Sequence, residues 1–159
     1  NSQNNQTENK ARPKKNNNYF ALNFYRQTLN SENKAFFEPW SKKHLIKELE
    51  SNSFLSHFVE EIEGKVVGFY ISSHVLDEVE IFTIAVDSAY QHMGIGTRLL
   101  DHLVKSSKNE NVRQIWLEVS TKNFSAINLY EKFGFRIMGL RKNYYQKIGE
   151  DAYNMLKEL

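Results

Sequence analysis

The residues best suited to bind an anion form a glycine-rich turn at residues 90–100, which reads YQHMGIGTRLL. Gly94 and Gly96 stand directly before an apolar run with helical spacing. Glycines at such a position let a backbone approach a ligand closely, and the unpaired N–H groups at a helix start attract anions. The turn therefore predicts an anion site, unless it serves only as a tight connection between a strand and a helix.

Two well-known phosphate-binding motifs do not fit this turn. The dinucleotide fingerprint requires a third glycine at the position of Leu99, and the triphosphate loop requires Gly-Lys-Ser/Thr where Gly96-Thr97-Arg98 stands. The spacing alone therefore leaves the identity of the anion open.

The elements that must position this turn form a mixed α/β pattern with an antiparallel front half and strand–helix–strand units behind it. Strands are predicted at residues 54–62, 66–75, 79–86, 112–119, 135–140 and about 152–156, and helices at residues 20–37, 42–50, 94–108 and 124–133. Ser41 is a plausible cap for the second helix, and Gly134 is expected to end the last one. Glu63 and Gly64 should join the first two strands into a hairpin. The third strand is apolar almost throughout, which favours a central place in the sheet.

The composition excludes several classes of function. The chain of 159 residues has no cysteine, so it has no disulfide, thiolate metal site or cysteine nucleophile. The histidines form no ligand cluster, so no catalytic metal is expected; they are His44, His57, His74, His92 and His102. No apolar run reaches the roughly 18 residues that span a membrane. A cytoplasmic protein without a membrane partner is therefore expected.

The basic residues are unevenly distributed along the chain. Residues 1–18 hold four of the 21 basic residues and one of the 19 acidic ones, so the remainder is almost neutral. Near-neutrality argues against a dedicated nucleic-acid binder. The Asn/Lys-rich segment 1–18 lacks the apolar residues of a core and is predicted to be a disordered tail, although it could touch RNA. Residues 19–159 are predicted to form a single domain.

A family resemblance resolves the question of the anion. Ile84-Ala85-Val86-Asp87, followed by the glycine turn and Leu99-Leu100, resembles the acyl-CoA signature of the GCN5-related N-acetyltransferases, the GNAT family. The resemblance implies that family's fold, a central and mostly antiparallel sheet flanked by helices, and acetyl-CoA as co-substrate with its pyrophosphate on the turn. The coenzyme-binding residues it implies are Ile84, Ala85, Val86, His92, Met93, Gly94, Ile95, Gly96, Thr97 and Asn123. Asn123 could instead serve as the N-cap of the helix that follows it.

The second half of the chain narrows the resemblance. The stretches WLEV (116–119), LYEKFGF (129–135), RKNYY (141–145) and EDAYNM (150–155), together with PWS (39–41), resemble the bacterial ribosomal-protein alanine N-acetyltransferases over about residues 36–157. This implies the N-terminal alanine of small-subunit ribosomal protein eighteen as substrate. Trp40, Tyr144 and Tyr145 would then wall the peptide entrance, unless they are packing aromatics. The family's first β-strand has no clear counterpart before the first helix.

The resemblance also implies the catalytic pair, with Glu118 as general base and Tyr130 as general acid. Alternation along a strand should turn Leu117 and Val119 to the face opposite Glu118. Without the resemblance, Glu118 would be interpreted as a solvated carboxylate and Tyr130 as a core residue. Direct attack on the thioester is favoured because no cysteine can carry the acetyl group.

The free energy of deprotonation favours an α-amine as the acceptor. An α-amine with a pKa near 8 costs about 1–1.5 kcal/mol to deprotonate at pH 7, whereas a lysine costs roughly 4–5 kcal/mol. A lysine side chain or a small-molecule amine remains an alternative acceptor, and a non-catalytic acyl-CoA-binding module is an alternative function. The expected partner is a ribosomal protein N-terminus, with no nucleic acid required and the enzyme a monomer or weak dimer.

Overall fold

A computed structural model describes residues 55–146 and 148–159, without the side chain of His57. It contains one sheet built from β1 (Leu55–Ile62), β2 (Lys65–Val75), β3 (Glu78–Val86), β4 (Gln114–Ser120), β5 (Arg136–Tyr145) and β6 (Glu150–Glu158). A short 3₁₀ turn, Ser88–Tyr90, follows β3 and precedes helix α1 (Ile95–Asn109). Helix α2 (Phe124–Lys132) connects β4 to β5.

The strand order in the sheet is β1-β2-β3-β4-β6-β5. All neighbouring strands are antiparallel except β3 and β4, which are parallel. A parallel pair needs a crossover connection, and α1 supplies it. The prediction of a mostly antiparallel sheet with the third strand in its middle is confirmed.

Several local predictions are also confirmed. Glu63 and Gly64 both have positive φ angles, 52° and 76°, as a two-residue hairpin turn of the I′ type requires. Gly134 has a φ of 87° and ends α2 by donating its N–H to the carbonyl of Glu131 at 2.9 Å. The inward residues predicted for α1 are all buried, namely Ile95, Leu99, Leu100, Leu103 and Val104.

The last two strands are longer than predicted, because β5 runs from Arg136 to Tyr145 and β6 from Glu150 to Glu158. The missed end of β5, residues 141–145, reads RKNYY, and its first three side chains are exposed and charged or polar, so it lacks the apolar alternation that marks a strand. Backbone pairing with β6 extends the strand where the side-chain pattern gives no signal.

The remaining predictions fall on residues 1–54, outside the described residues. They are the tail at 1–18 and its boundary with the domain, the helices at 20–37 and 42–50, the Ser41 cap, and the question of the family's first strand. In the part of the chain that the structure describes, no helix is long and apolar enough to cross a membrane.

Helix α1 packs closely against β2 because residue 68 is a glycine. A Cβ atom built at Gly68 would lie 2.8 Å from Cγ2 of Ile95, 3.1 Å from Cδ1 of Leu99 and 3.2 Å from the carbonyl oxygen of Ala85. The first turn of α1 therefore sits directly over the end of β3. This contact fixes the glycine turn relative to the sheet.

We expect Gly68→Ala to lower the free energy of unfolding by about 1–3 kcal/mol, because the added methyl overpacks a fixed helix–sheet contact. Urea unfolding followed by circular dichroism measures the change. Gly139→Ala is the matched control, since a Cβ there meets nothing within 4 Å. It should change stability by less than about 1 kcal/mol, and equal effects of the two substitutions would contradict the packing role of Gly68.

Candidate active site

A cavity opens where the two central parallel strands separate. The pairing of β3 with β4 ends at Ile81 and Leu117, although β3 continues to Val86 and β4 to Ser120. Opposite β2, Ile71 pairs with Thr83 and Ser72 with Ile81, so Phe82 is an extra residue in β3. Such a bulge bends its strand, and here it lies where β3 leaves β4. The resulting cavity has a volume of about 450 Å³.

The cavity brings together five of the residues singled out in the sequence. These are Ile84, Glu118, Asn123, Tyr130 and Tyr145. Ala85 and Val86 follow Ile84 on β3, while residues 92–97 form the turn and the start of α1 without lining the cavity. Tyr144 does not line it either, and Trp40 lies outside the described residues.

Glu118 has an asymmetric environment at the floor of this opening. Its side chain is only 11% exposed. Oε1 accepts a hydrogen bond from Nδ2 of Asn154 at 3.0 Å and lies 3.3 Å from Nε of Arg141. Oε2 is buried and has no hydrogen-bond partner within the described part of the chain. A buried, unpaired carboxylate oxygen is costly, and it can take a proton or a donor that a substrate brings.

The pKa of Glu118 is raised above its ordinary value. Burial is the main cause; the hydrogen bond from Asn154 and the charge of Arg141 lower the pKa, while the charge of Glu80 raises it. A carboxylate with a raised pKa is a stronger proton acceptor at neutral pH. The alternation predicted for β4 is confirmed, because Leu117 and Val119 are buried as core residues.

Two buried tyrosines line the same cavity. Tyr130 on α2 is 6% exposed, and its ring packs at an angle against Phe135 with 5.7 Å between the ring centres. Burial raises the pKa of Tyr130, so its hydroxyl stays protonated and can act as a hydrogen donor. The pKa of Tyr145 is also raised, first by burial and then by nearby groups that include Tyr144 and Glu118.

The glycine turn leaves backbone donors at the start of α1 without helical partners. Gly94 is the N-cap with a left-handed φ of 78° and has no side-chain cap. The N–H of Arg98 bonds to the carbonyl of Gly94 at 3.0 Å, so the N–H groups of the three preceding residues lie ahead of the helical ladder. A Cβ at Gly96 would lie 3.4 Å from Cδ2 of Leu129 on α2, an ordinary van der Waals distance, so packing against α2 does not by itself require glycine there.

Asn123 caps α2. Its Oδ1 accepts a hydrogen bond from the N–H of Ala126 at 3.2 Å, which confirms the N-cap interpretation. Asn123 also lines the cavity, so a contact with the coenzyme stays a prediction.

The two tyrosines at the end of β5 have different surroundings. Tyr145 is buried and lines the cavity. Tyr144 packs edge-on against Tyr145 with ring centres 4.9 Å apart, and the guanidinium of Arg141 lies 5.6 Å from the centre of the Tyr144 ring. Tyr144 therefore contacts Tyr145 and Arg141 without lining the cavity.

Sequence reasoning missed the polar residues that hold Glu118 and the cavity floor. Arg141 and Asn154 contact Glu118 from β5 and β6, and the hydroxyl of Ser120 donates to Glu150 where β4 meets β6. Arg141 and Asn154 lie within the stretches RKNYY and EDAYNM, but only the strand register shows that they meet Glu118. Among the residues described, no group of three or more His, Asp or Glu could hold a metal ion.

The sheet order, the separation of β3 from β4 and the uncapped glycine turn together define the fold of an acyl-CoA-dependent N-acyltransferase. The sequence model of the Acetyltransferase (GNAT) family matches residues 25–135. The chain therefore belongs to the GNAT family, and the resemblance found in the sequence is confirmed, as are the fold and the assignment as an acyltransferase.

Individual relatives are similar over most of the chain. The ribosomal protein bS18-alanine N-acetyltransferase of Escherichia coli (strain K12) is 40% identical over 114 residues, 72% of this chain and 76% of the relative. The crystal structure of the ribosomal-protein-S18-alanine N-acetyltransferase from Escherichia coli superposes with a TM-score of 0.74 at 37% identity, covering 84% of this chain and 86% of that one. A GNAT family acetyltransferase from Elizabethkingia anophelis, solved with acetyl-CoA bound, shares the fold at 24% identity and a TM-score of 0.67, over 75% and 84% of the two chains.

We expect Asn123→Ala to lower the free energy of unfolding by about 1 kcal/mol, because α2 loses its side-chain cap. Asn123→Ser retains a capping oxygen and should recover most of that loss. Urea unfolding of the three proteins measures the difference. Equal destabilisation by alanine and serine would show that the cap does not stabilise α2.

Proposed function

We propose that this chain transfers the acetyl group of acetyl-CoA to the amino terminus of a protein, with the N-terminal alanine of ribosomal protein bS18 as substrate. The observation that carries the chemistry is the buried Glu118, which has one oxygen held and one without a partner among the described residues and which lines the same cavity as Tyr130. The choice of substrate rests on the 40% identity to the Escherichia coli enzyme. Because ribosomal proteins are made in the cytoplasm, the reaction is proposed to take place there.

Two features support the binding of the coenzyme. Beyond Ile81, β3 pairs only with β2 among the described strands, so backbone groups of residues 84–86 on the other side can pair with the amides of the pantetheine arm. The N–H groups at the start of α1 and the positive end of the helix suit a diphosphate. His92 has a left-handed φ of 63°, so the backbone changes direction at this residue of the turn. The two proposed coenzyme-binding segments, residues 84–86 and 92–97, are joined by the short connection between β3 and α1.

The reaction needs an unprotonated amine, and Glu118 supplies the base. Oε2 takes a proton from the substrate ammonium, and the freed nitrogen attacks the thioester carbonyl. The nitrogen of the tetrahedral adduct still carries one surplus proton. As the carbon–sulfur bond breaks, Tyr130 donates its hydroxyl proton to the departing sulfur, and the surplus proton passes from the nitrogen to the tyrosinate, which restores Tyr130. An α-amine costs only about 1–1.5 kcal/mol to deprotonate at pH 7, a task suited to a carboxylate.

Most of the acceleration is attributed to positioning. Acid–base catalysis contributes roughly 10²–10⁴-fold, whereas holding two reactants in register supplies about 7–11 kcal/mol. The side chains of Glu118 and Tyr130 are both buried in packed surroundings at the cavity between β3 and β4, and this burial holds them in position.

The first test is intact-mass spectrometry of a peptide with the N-terminal sequence of bS18, incubated with the full chain and acetyl-CoA. We expect a gain of one acetyl group at the α-amine, located by fragmentation. A copy with a blocked amino terminus should gain none, and a copy with a changed first residue should react more slowly. Acetylation of a lysine, or of small amines irrespective of peptide length, would contradict the proposed substrate.

The second test addresses the catalytic pair. We expect Glu118→Gln and Tyr130→Phe each to lower kcat by about 10²-fold or more, because each removes one proton-transfer group. Glu131→Gln, an exposed change on α2, and Tyr153→Phe, a change in a tyrosine that packs against the core, serve as matched controls and should retain the original kcat. Unchanged turnover in both Glu118→Gln and Tyr130→Phe would overturn the assignment.

A further inference from the structure

The two oxygens of Glu118 are not equivalent. Oε1 makes the polar contacts of the carboxylate with both Asn154 and Arg141. Oε2 is buried and unpartnered among the described residues. A carboxylate free to rotate would present either oxygen to the substrate, whereas the contacts at Oε1 restrict the rotation of the Glu118 carboxylate.

The contacts to Oε1 come from two different strands. Asn154 lies directly opposite Glu118 in the antiparallel pairing of β4 with β6. Arg141 comes from β5, which is separated from β4 by β6, and pairs in register with Ala152. The face of Tyr144 lies against the guanidinium of Arg141 at 5.6 Å, and such a contact between a cation and a ring holds the side chain in place.

We propose that Asn154 and Arg141 are positioning residues, which hold Oε1 of Glu118 and thereby leave Oε2 as the one oxygen that exchanges a proton. The catalytic part of this inference rests on the proposed function, because it takes Glu118 as the base. The structural part, that these two side chains set the orientation and the charge of Glu118, stands apart from it.

Charged and titratable groups approach Glu118 from every neighbouring element. Glu80 on β3 and Arg141, Tyr144 and Tyr145 on β5 interact with it electrostatically, and Glu150 on β6 and Tyr130 on α2 line the same cavity. The hydrogen bond from Asn154 and the charge of Arg141 lower the pKa of Glu118, and the charge of Glu80 raises it. Removing Arg141 or Asn154 should therefore raise the pKa of Glu118, and removing the charge of Glu80 should lower it.

The decisive measurement is a carbon-13 NMR titration of the glutamate carboxyl groups in the full chain, with Glu118 assigned by Glu118→Gln. We expect the titration midpoint of Glu118 to move to higher pH in Arg141→Met and Asn154→Leu and to lower pH in Glu80→Gln. Arg141→Lys keeps the charge and should shift the midpoint less than Arg141→Met. The side chain of Arg141 is 58% exposed, so its replacement should leave the fold intact.

The matched control is Arg136→Met. Arg136 is an arginine on the same strand as Arg141, and it pairs with Glu158 on β6 at 3.0 Å instead of with Glu118. Its removal should leave the midpoint of Glu118 unchanged. If Arg141→Met and Asn154→Leu leave the midpoint in place, or if Arg136→Met moves it equally, the inference is overturned.

The pH dependence of kcat separates this inference from the proposed function. A base must be deprotonated to act, so the acidic limb of the profile should move upward with the pKa of Glu118 in Arg141→Met and downward in Glu80→Gln. We also expect kcat to fall about ten-fold in Arg141→Met, with KM for acetyl-CoA unchanged. An NMR midpoint that moves while the acidic limb stays fixed would support the positioning role and overturn Glu118 as the base.

Discussion

The site depends on the point at which two neighbouring strands of the sheet stop pairing. Hydrogen bonding between β3 and β4 ends at Ile81 and Leu117, although both strands continue. Two adjacent parallel strands normally leave no space between them, so a cavity in the middle of a sheet requires this separation. The extra residue Phe82 in β3 bends that strand at the right place. The cavity and the end of the β3–β4 pairing therefore have a common cause.

The separation of the strands also explains why a carboxylate can be buried here. If β3 and β4 stayed paired, Glu118 would lie in a closely packed part of the sheet. A carboxylate oxygen without a hydrogen-bond partner would destabilise the fold there. At the opening, Asn154 on β6 still bonds to Glu118, and the residues that the structure describes leave a cavity toward β3. One carboxylate oxygen is thus stabilised by the fold, and the other has no hydrogen-bond partner among those residues. The raised pKa of Glu118 follows from the same burial.

Local sequence patterns predicted the features that depend on residues close together in the chain. The helical spacing of Leu99, Leu100 and Leu103 identified the buried face of α1, and Gly134 marked the end of α2. The end of β5 was missed because residues 141–143 are exposed and charged or polar and carry no apolar period. Glu118 and Tyr130 were assigned only by family resemblance, since nothing in the spacing shows that they meet. Contacts such as Asn154 with Glu118, 36 residues apart, depend on strand register, which a single sequence does not give.

The surroundings of the two buried tyrosines distinguish the proposed acid from its neighbour. Tyr130 and Tyr145 both line the cavity, and burial raises the pKa of each. The pKa of Tyr145 is raised further by the negative charge of Glu118, so the loss of its proton is opposed while Glu118 is ionised. The shift of Tyr130 has burial as its only cause. In the proposed reaction Glu118 becomes neutral when it accepts the amine proton, so its opposition to the ionisation of Tyr145 is then relieved. The pKa of Tyr145 therefore follows the protonation state of the proposed base, whereas the pKa of Tyr130 is set by burial and does not follow it.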